Sequence, residues 1–497
     1  MIEQNVTIHD RFQFEMKLNY KPQGEKSFTR YDIATWIFIP GSLDINRRTY
    51  MKDDFYNDIQ THIRFKTPTV PLRNVAKGED SPFGKLAKSF DGLTARNGAA
   101  AEPDAENQVK IFCCIVKSAI RDHISLIGRH KDPQNTSYLV AEYVKDIEEI
   151  TSKYRALRRT LRAATTDNRK FSKYLFGDEY ISLLVESYTF GLLDRVKVLK
   201  DTSGDSPDQE KLLDLIRKET EYRRENGYRS IPSEDSTNEV FLFRRGVLKK
   251  FAESILYLNT RTKREGILVE QIIFGSVAGL AMAFATAVAF FSQAQYGNFT
   301  APFFVALVVS YMFKDRLKDL MRTYVSNKLR NVLFDHRMKI LVGAQKIGET
   351  RESFDFLEES RLSEEVRKIR DMDHITEIEN DLRGEKIILY HKQVEILSNR
   401  LREVYHNFPI EGINDIMRFN VSRFLYRMDN PKQSLPILLD RGYGKTSGER
   451  VYHLNMVVRY SMGTHARYDR FRIVLNKDGI KRIEAVAPQP SPSLASP

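Results

Sequence analysis

The sequence predicts an α+β membrane protein that is predominantly helical, with a two-helix transmembrane hairpin, a helical stalk and β-strands at both ends of the chain. Three observations lead to this prediction. Two apolar runs, residues 272–291 and 296–313, lie close together and contain no charged side chain. Most of the segment 109–430 has apolar residues at helical spacing. Residues 11–20 and 454–486 instead alternate between apolar and polar side chains, as strands do.

The composition limits the membrane part to a small share of the chain. Of the 497 residues, 41% are hydrophobic and 29% are charged, which is usual for a soluble globular protein and excludes an ordinary polytopic transporter. The net charge of +12 favours anionic partners, and the nearest ones for a membrane segment are the anionic headgroups of a lipid bilayer. Nucleic acid is the rival partner, but few aromatic residues accompany the basic cluster described below, which argues against single-stranded nucleic acid.

The N-terminal portion, residues 1–75, is predicted to be β-rich. Residues 11–20 have the period of a half-buried strand, and residues 33–39 are apolar on both faces, which indicates a strand covered on both sides. Residues 76–108 contain Gly, Ala, Pro, Ser and Asp without periodicity, and we expect a mobile loop there.

Residues 109–236 are predicted to form a cytoplasmic helical region. The only cysteines, Cys113 and Cys114, are neighbours on a helix and cannot readily bond to each other, which fits a reducing compartment. Apolar residues spaced alternately by three and four form a seam that needs a partner helix: Val140, Tyr143, Ile147, Ile150, Tyr154, Leu157 and Leu161. An intramolecular helix pair and a coiled coil between chains both satisfy this seam.

A basic cluster lies on the same helix as this seam. Its members have i, i+3, i+4, i+7 spacing and share one helical face: Arg155, Arg158, Arg159 and Arg162. They are candidates for binding anionic headgroups, a phosphorylated ligand or RNA. The alternative is a solvated face whose charges pair with nearby acids such as Glu148 and Glu149.

Residues 237–345 are predicted to form a helical stalk that contains the transmembrane hairpin. The first run, 272–291, matches the roughly 30 Å hydrocarbon core of a bilayer, and the second, 296–313, is shorter and contains Pro302. Basic residues flank both runs, and none lies between them: Arg261, Lys263, Arg264, Lys314, Arg316, Lys318, Arg322 and Lys328. The positive-inside rule therefore predicts a two-pass integral membrane protein with both termini cytoplasmic, in a bacterial inner membrane or its equivalent.

Small residues recur at every fourth position of the first run. This stripe consists of Gly275, Gly279, Ala283 and Ala287, and it permits the close approach of another helix. The second run of the same chain and another copy of the chain, in a homo-oligomer, are the two alternatives for that helix.

The remainder of the chain is predicted to be helical over 346–430, β-rich over 431–487 and disordered in the Pro/Ser-rich tail 488–497. Within the helical part, residues 387–404 form a second heptad seam. In the β-rich part, Asn476 to Gly479 form the turn of a hairpin. The sequence pattern does not specify whether the N-terminal and C-terminal strands share one sheet.

The sequence identifies no catalytic residue and no cofactor. The glycine-rich segment 442–448 lacks the first glycine of a phosphate-binding loop and reads as a basic turn beside a strand. Carboxylate and imidazole side chains are spaced by three residues at Asp371 and His374, at His374 and Glu377, and at Glu403 and His406. A di-iron site would need further carboxylates from facing helices, and acidic helices contain such pairs by chance, so no metal site is predicted.

Three functional hypotheses follow. The leading one is a membrane-anchored cytoplasmic scaffold, sensor or effector that self-associates. The second is a membrane-tethered enzyme that acts on a phosphorylated or lipid-derived substrate. The third is a small oligomeric pore assembled from several hairpins.

Overall fold

The computed structural model divides the chain into two compact units. The β unit comprises residues 1–63, 258–404 and 412–497, and the helical unit comprises residues 64–257 and 405–411. The structure describes residues 3–21, 27–94, 98–129, 132–164, 168–200, 207–297, 300–329, 334–371, 384–404, 412–440, 442–463 and 465–486.

Among the described residues, the β unit contains all the strands except the last two residues of β4, and half of the helices. Its strands are β1 (Glu3–Ile8), β2 (Gln13–Tyr20), β3 (Phe28–Ile39), β4 (Ile59–Phe65, which runs to the unit's boundary), β5 (Asn259–Arg264), β6 (His336–Val342), β7 (Gln345–Leu357), β8 (Lys386–Leu397), β9 (Ile413–Asn420), β10 (Lys432–Leu438), β11 (Tyr443–Glu449), β12 (Tyr452–Met462), β13 (His465–Asn476) and β14 (Gly479–Val486). Its helices are α1 (Lys52–Asp58), α8 (Ile267–Tyr296), α9 (Ala301–Leu329), α10 (Glu364–Arg370), α11 (Ser398–Val404) and α12 (Ser422–Leu425).

Eight of these strands form one large antiparallel sheet. The strand order is β14-β13-β12-β3-β8-β7-β6-β5, and a second sheet has the order β1-β2-β9-β4. In the large sheet Trp36 of β3 lies opposite Val457 of β12 on one side and Leu389 of β8 on the other. The N-terminal and C-terminal strands therefore share one sheet.

The core of the β unit lies between the two sheets. Phe55 of α1 stacks on Phe354 of β7 with ring centroids 4.4 Å apart, and it lies 5.7 Å from the ring of Phe419 on β9. The opposite face of the large sheet is covered by α10, where Val366 packs against a cluster that includes Trp36. As predicted, residues 33–39 of β3 are buried on both faces.

The helical unit consists of α2 (Pro82–Thr94), α3 (Gly98–Ile127), α4 (Pro133–Ala164), α5 (Asn168–Lys200), α6 (Pro207–Glu225) and α7 (Glu239–Glu253). The seam of α4 is packed inside this unit, since Val140, Tyr143 and Ile147 are fully buried and α4 contacts α5 and α6. Cys113 and Cys114 are buried free thiols. Burial raises the pKa of Cys114 to about 12 and that of Cys113 well above its usual value.

The predicted fold class is wrong. The chain has a mixed α/β fold with large antiparallel sheets, and only one helix of the described residues, within 271–296, is long and apolar enough to cross a membrane. The second predicted span fails because α9 begins only at Ala301 and reaches its first charge at Lys314. This leaves about 13 uncharged residues, or roughly 20 Å of helix, against a hydrocarbon core of about 30 Å.

Other segments predicted to be helical or irregular also differ. No paired helical stalk precedes α8 in the described chain, because residues 259–264 form the exposed strand β5. In the described part of 346–430 the longest elements are the strands β7, β8 and β9, and the second heptad seam lies largely on β8, whose alternate residues are buried. The expected mobile loop contains the helix α2 and the start of α3. The tail 488–497 lies outside the described residues.

Candidate functional site

The candidate functional site is the helical hairpin formed by α8 and α9, which is inserted at the edge of the large sheet. β5 leads into α8, and the chain after α9 continues into β6. β5 and β6 are paired neighbours, with Thr260 opposite Ile340. The hairpin is therefore inserted in the connection between the edge strand β5 and its neighbour β6.

One face of each helix packs against its partner, and the remaining faces are exposed. On α8 the packed face contains Val277, Ala281 and Ala285, all of which are buried. The half of the hairpin next to its turn, here called the apolar tip, exposes large hydrophobic side chains: Phe284, Phe290, Phe291, Phe304, Val305, Val308, Val309, Met312 and Phe313. Contiguous apolar surface of this kind marks a site of interaction with a protein or a membrane.

Two contacts define the alignment of the helices. Ser310 donates a hydrogen bond to the carbonyl oxygen of Ala285 over 3.3 Å. Near the opposite end, the guanidinium of Arg322 lies 4.5 Å from the ring centroid of Phe274. The charged part of α9, which begins at Lys314, therefore lies beside the first half of α8.

Positive charge is concentrated in the half of the hairpin away from its turn and in the strand β5 that leads into it. We call it the basic base, and it consists of Arg261, Lys263 and Arg264 on β5 together with Lys314, Arg316, Lys318 and Arg322 on α9. Every residue of β5 is exposed. Four acidic residues offset part of this charge, namely Glu265, Glu270, Asp315 and Asp319, but the seven basic residues outnumber them.

The small-residue stripe does not contact α9. Gly275, Gly279, Ala283 and Ala287 are all exposed, and a side chain added at Gly275 or Gly279 would have no atom within 4 Å. The exposure of the stripe favours the second alternative, contact with another copy of the chain, over packing within the hairpin. The residues that do contact α9 lie two positions further along, at Val277, Ala281 and Ala285.

The basic cluster on α4 is divided between internal and external positions. Arg155 donates a 2.6 Å hydrogen bond to Glu219, and its guanidinium lies 3.4 Å from the ring centroid of Tyr222. Arg158 donates a hydrogen bond to the side chain of Asn226. Arg159 and Arg162 are exposed, and Arg162 lies over the ring of Phe171. The structure thus leaves half of the cluster on the surface.

The helical unit contains a cavity of about 410 Å³. Its lining comes from α5, α6, α7 and the segment before α7: Leu183, Glu186, Ser187, Phe190, Thr220, Arg224, Ile231, Pro232, Phe241 and Arg245. None of these residues was predicted from the sequence as part of a site. Glu186 was the available signal, because it is a single carboxylate that directly follows the apolar residues Leu183, Leu184 and Val185.

Three strands of the large sheet bring an acid, an imidazole and a guanidinium together. Nε2 of His391 lies 2.5 Å from Oδ2 of Asp32, and Arg459 donates to Oδ1 of the same carboxylate over 3.1 Å. Burial opposes ionisation of Asp32, but the hydrogen bonds from His391 and Arg459 lower its pKa below the usual value. With both carboxylate oxygens occupied, this cluster resembles an ion network more than a general base.

The structure does not support a chemical role for the other motifs described in the sequence. Segment 442–448 lies largely on strand β11, where Thr446 is opposite Leu435, and no helix follows to meet a phosphate. No three His, Cys, Asp or Glu side chains lie together as a metal site in the part of the chain that the structure describes. His374, Glu377 and His406 fall outside that part.

Fold and sequence were also compared with known proteins. No protein-family model, curated protein or solved structure matched the chain.

Proposed function

We propose that the chain is a membrane-attached scaffold or effector, and that the α8–α9 hairpin buries its apolar tip in one leaflet of an anionic bilayer. One observation supports this proposal above the others. Along the hairpin, both helices are uncharged and apolar at the tip, whereas the basic base lies at the opposite end.

The length of the apolar tip favours partial insertion. The uncharged part of α9 extends for roughly 20 Å, which exceeds one leaflet of about 15 Å but falls short of the whole hydrocarbon core. If α8 crossed the bilayer completely, Lys314, Asp315 and Arg316 beside it would enter the hydrocarbon. Each charge near the bilayer centre costs about 2.5–3.5 kcal/mol.

Partial insertion also matches each part of the hairpin to the chemistry around it. Phe290 and Phe291 are each about 70% exposed, and the burial of one such side chain contributes about 1.5–3 kcal/mol. Basic residues at a membrane surface contribute about 1 kcal/mol each when the lipids are anionic. The tip therefore supplies attachment and the base supplies preference for anionic headgroups.

Vesicle flotation of the full chain tests this proposal. The wild type is expected to float with phosphatidylglycerol-containing vesicles and to bind less at high salt, because salt screens the basic base. Phe290→Glu combined with Phe291→Glu should weaken partitioning about 100-fold or more, since two buried rings are replaced by charges. Arg261→Glu combined with Arg264→Glu should weaken it about tenfold or more.

A matched control is available on the β10–β11 hairpin of the same unit. Leu438 is 91% exposed, so Leu438→Glu introduces one glutamate at an exposed apolar position outside the tip. This variant is expected to float like the wild type. The proposal would be contradicted if the wild type bound neither neutral nor anionic vesicles. Equal losses of vesicle binding in the Leu438 and Phe290/Phe291 variants would also contradict it.

Self-association is a second proposal for the same hairpin, and the outward direction of the stripe favours it. Glycine at 275 and 279 leaves room for a second hairpin to approach closely. Gly279→Leu should reduce crosslinked dimers on vesicles several-fold without reducing flotation. Ala278→Leu, at the neighbouring exposed position outside the stripe, is the control and should leave the dimer fraction unchanged. Monomers alone in the wild type, or equal dimer fractions in all three proteins, would exclude an interface at this stripe.

A further inference from the structure

The cavity of the helical unit has a polar floor, apolar walls and a basic mouth. It lies between α5, α6, α7 and the segment that joins α6 to α7, so four parts of the chain must be folded before it exists. Its volume of about 410 Å³ lies within the roughly 300–1,000 Å³ range of small-molecule sites. No residue of the hairpin contributes to it, so a ligand bound here would be independent of membrane attachment.

Glu186 provides the floor. Its carboxylate is fixed by two neighbours: Arg223, which is fully buried, and Thr220, whose hydroxyl donates over 2.9 Å. Both bonds are made to Oε1. Oε2 is therefore the oxygen through which Glu186 can accept a hydrogen bond from a ligand.

Apolar and aromatic side chains form the walls. Leu183 and Phe190 come from α5, Phe241 comes from α7, and Ile231 and Pro232 close the remaining side. Two aromatic rings on different helices favour a flat aromatic group between them. A fatty-acid chain would fit the walls, but it has no hydrogen to donate to Glu186, and a buried carboxylate facing hydrocarbon is costly.

Arginines line the mouth. Arg224 on α6 and Arg245 on α7 are both exposed, and Arg224 forms a surface ion pair with Glu221. Guanidinium groups bind phosphate in bidentate geometry, and two of them at the entrance favour an anionic group that remains near solvent.

We infer that this cavity binds a mononucleotide. The base would lie between Phe190 and Phe241 and donate an N–H hydrogen bond to Oε2 of Glu186. The phosphate would bind Arg224 and Arg245 at the mouth. This arrangement uses the acceptor at the floor, the apolar walls and the basic mouth together, which neither an inorganic anion nor a lipid tail does.

Isothermal titration of the full chain with AMP, GMP, CMP and UMP, each in turn, tests the inference. At least one nucleotide is expected to bind with a Kd below about 100 μM and at least about tenfold more tightly than ribose 5-phosphate, because the sugar phosphate lacks the base. Arg245→Ala should weaken binding about tenfold, as expected for the loss of one charge-assisted hydrogen bond. Ser187→Trp, at an exposed position of the mouth, should abolish binding by blocking entry.

Arg217→Ala is the matched control, since Arg217 is an exposed arginine of α6 outside the cavity. It should bind the nucleotide as the wild type does. Circular dichroism of each variant verifies that the protein is folded, and both altered mouth positions are exposed, so folding should be preserved. Absence of binding by all four nucleotides, equal affinity for ribose 5-phosphate, or equal losses in Arg217→Ala and Arg245→Ala would overturn the inference. Vesicle binding is unaffected by any of these results.

Discussion

Lys392→Met is expected to destabilise the β unit by about 3–5 kcal/mol, the usual cost of removing one partner from a buried ion network. Lys392 is fully buried between the sheets, with Nζ 2.6 Å from a carboxylate oxygen of Asp415 on β9 and 3.2 Å from one of Glu352 on β7. Burial acts to lower the pKa of Lys392, but Asp415 and Glu352 raise it above its usual value. Without the ammonium, two buried carboxylates would face each other.

The only tryptophan makes this measurement specific to the β unit. Trp36 is buried on β3, so its fluorescence in a urea titration reports the unfolding of that unit. Lys386 lies at the exposed start of β8, the strand that contains Lys392. Lys386→Met should therefore change the stability of the β unit by less than about 0.5 kcal/mol. The triple change Lys392→Met, Asp415→Asn and Glu352→Gln should recover much of the loss, because no unpaired charge remains. If the Lys392→Met single variant unfolded at the same urea concentration as the wild type, the network would not stabilise the fold.

Arg223→Met should produce the largest loss of stability in the helical unit, about 2–4 kcal/mol. The side chain of Arg223 is fully buried, donates to Ser182 over 2.9 Å and forms an ion pair with Glu186. The expected loss is below that for Lys392 because Glu186 lines the cavity, where water can solvate the carboxylate left behind.

The reactivity of the buried thiols reports the unfolding of the helical unit, as the fluorescence of Trp36 reports that of the β unit. Cys113 and Cys114 lie on α3 and should react with a thiol reagent only when the helical unit opens. The midpoint of thiol exposure in urea should fall for Arg223→Met and remain unchanged for Arg224→Met. Arg224 is the next residue along the chain, but its ion pair with Glu221 is exposed and contributes little. Equal midpoints for the two variants would refute a stabilising role for the buried pair.

The sequence predicted strands correctly where burial and periodicity agreed. Residues 11–20 largely match β2, and Asn476 to Gly479 form the turn between β13 and β14. The prediction failed at β8 because its buried series contains Lys392, a charge that interrupts the apolar alternation. With that position read as polar, the remaining apolar residues fit a heptad. Long-range pairing with Asp415 and Glu352 decides the conformation there, and no local window of sequence contains it.

The candidate site was predictable only in part. The apolar character of residues 272–313 is evident from the sequence, and so is the charge on its flanks. The length of hairpin over which both helices are apolar depends on how α8 and α9 are aligned. The contact of Ser310 with Ala285 shows this alignment, and composition does not specify it. The outward direction of Gly279 depends on the same alignment. The cavity residues come from separate helices, so their proximity is a property of the fold alone.

The position of β3 in the middle of the large sheet has a consequence for synthesis on the ribosome. Its neighbour β12 lies about 420 residues later in the chain, and at roughly 5–20 residues per second the ribosome needs about 20–80 s to reach it. During that interval a strand that is apolar on both faces has no partner on that side. The helical unit and the hairpin are synthesised within the same interval. Completion of the β unit therefore waits until β12 has been synthesised, and it depends on contacts between parts of the chain that lie far apart in sequence.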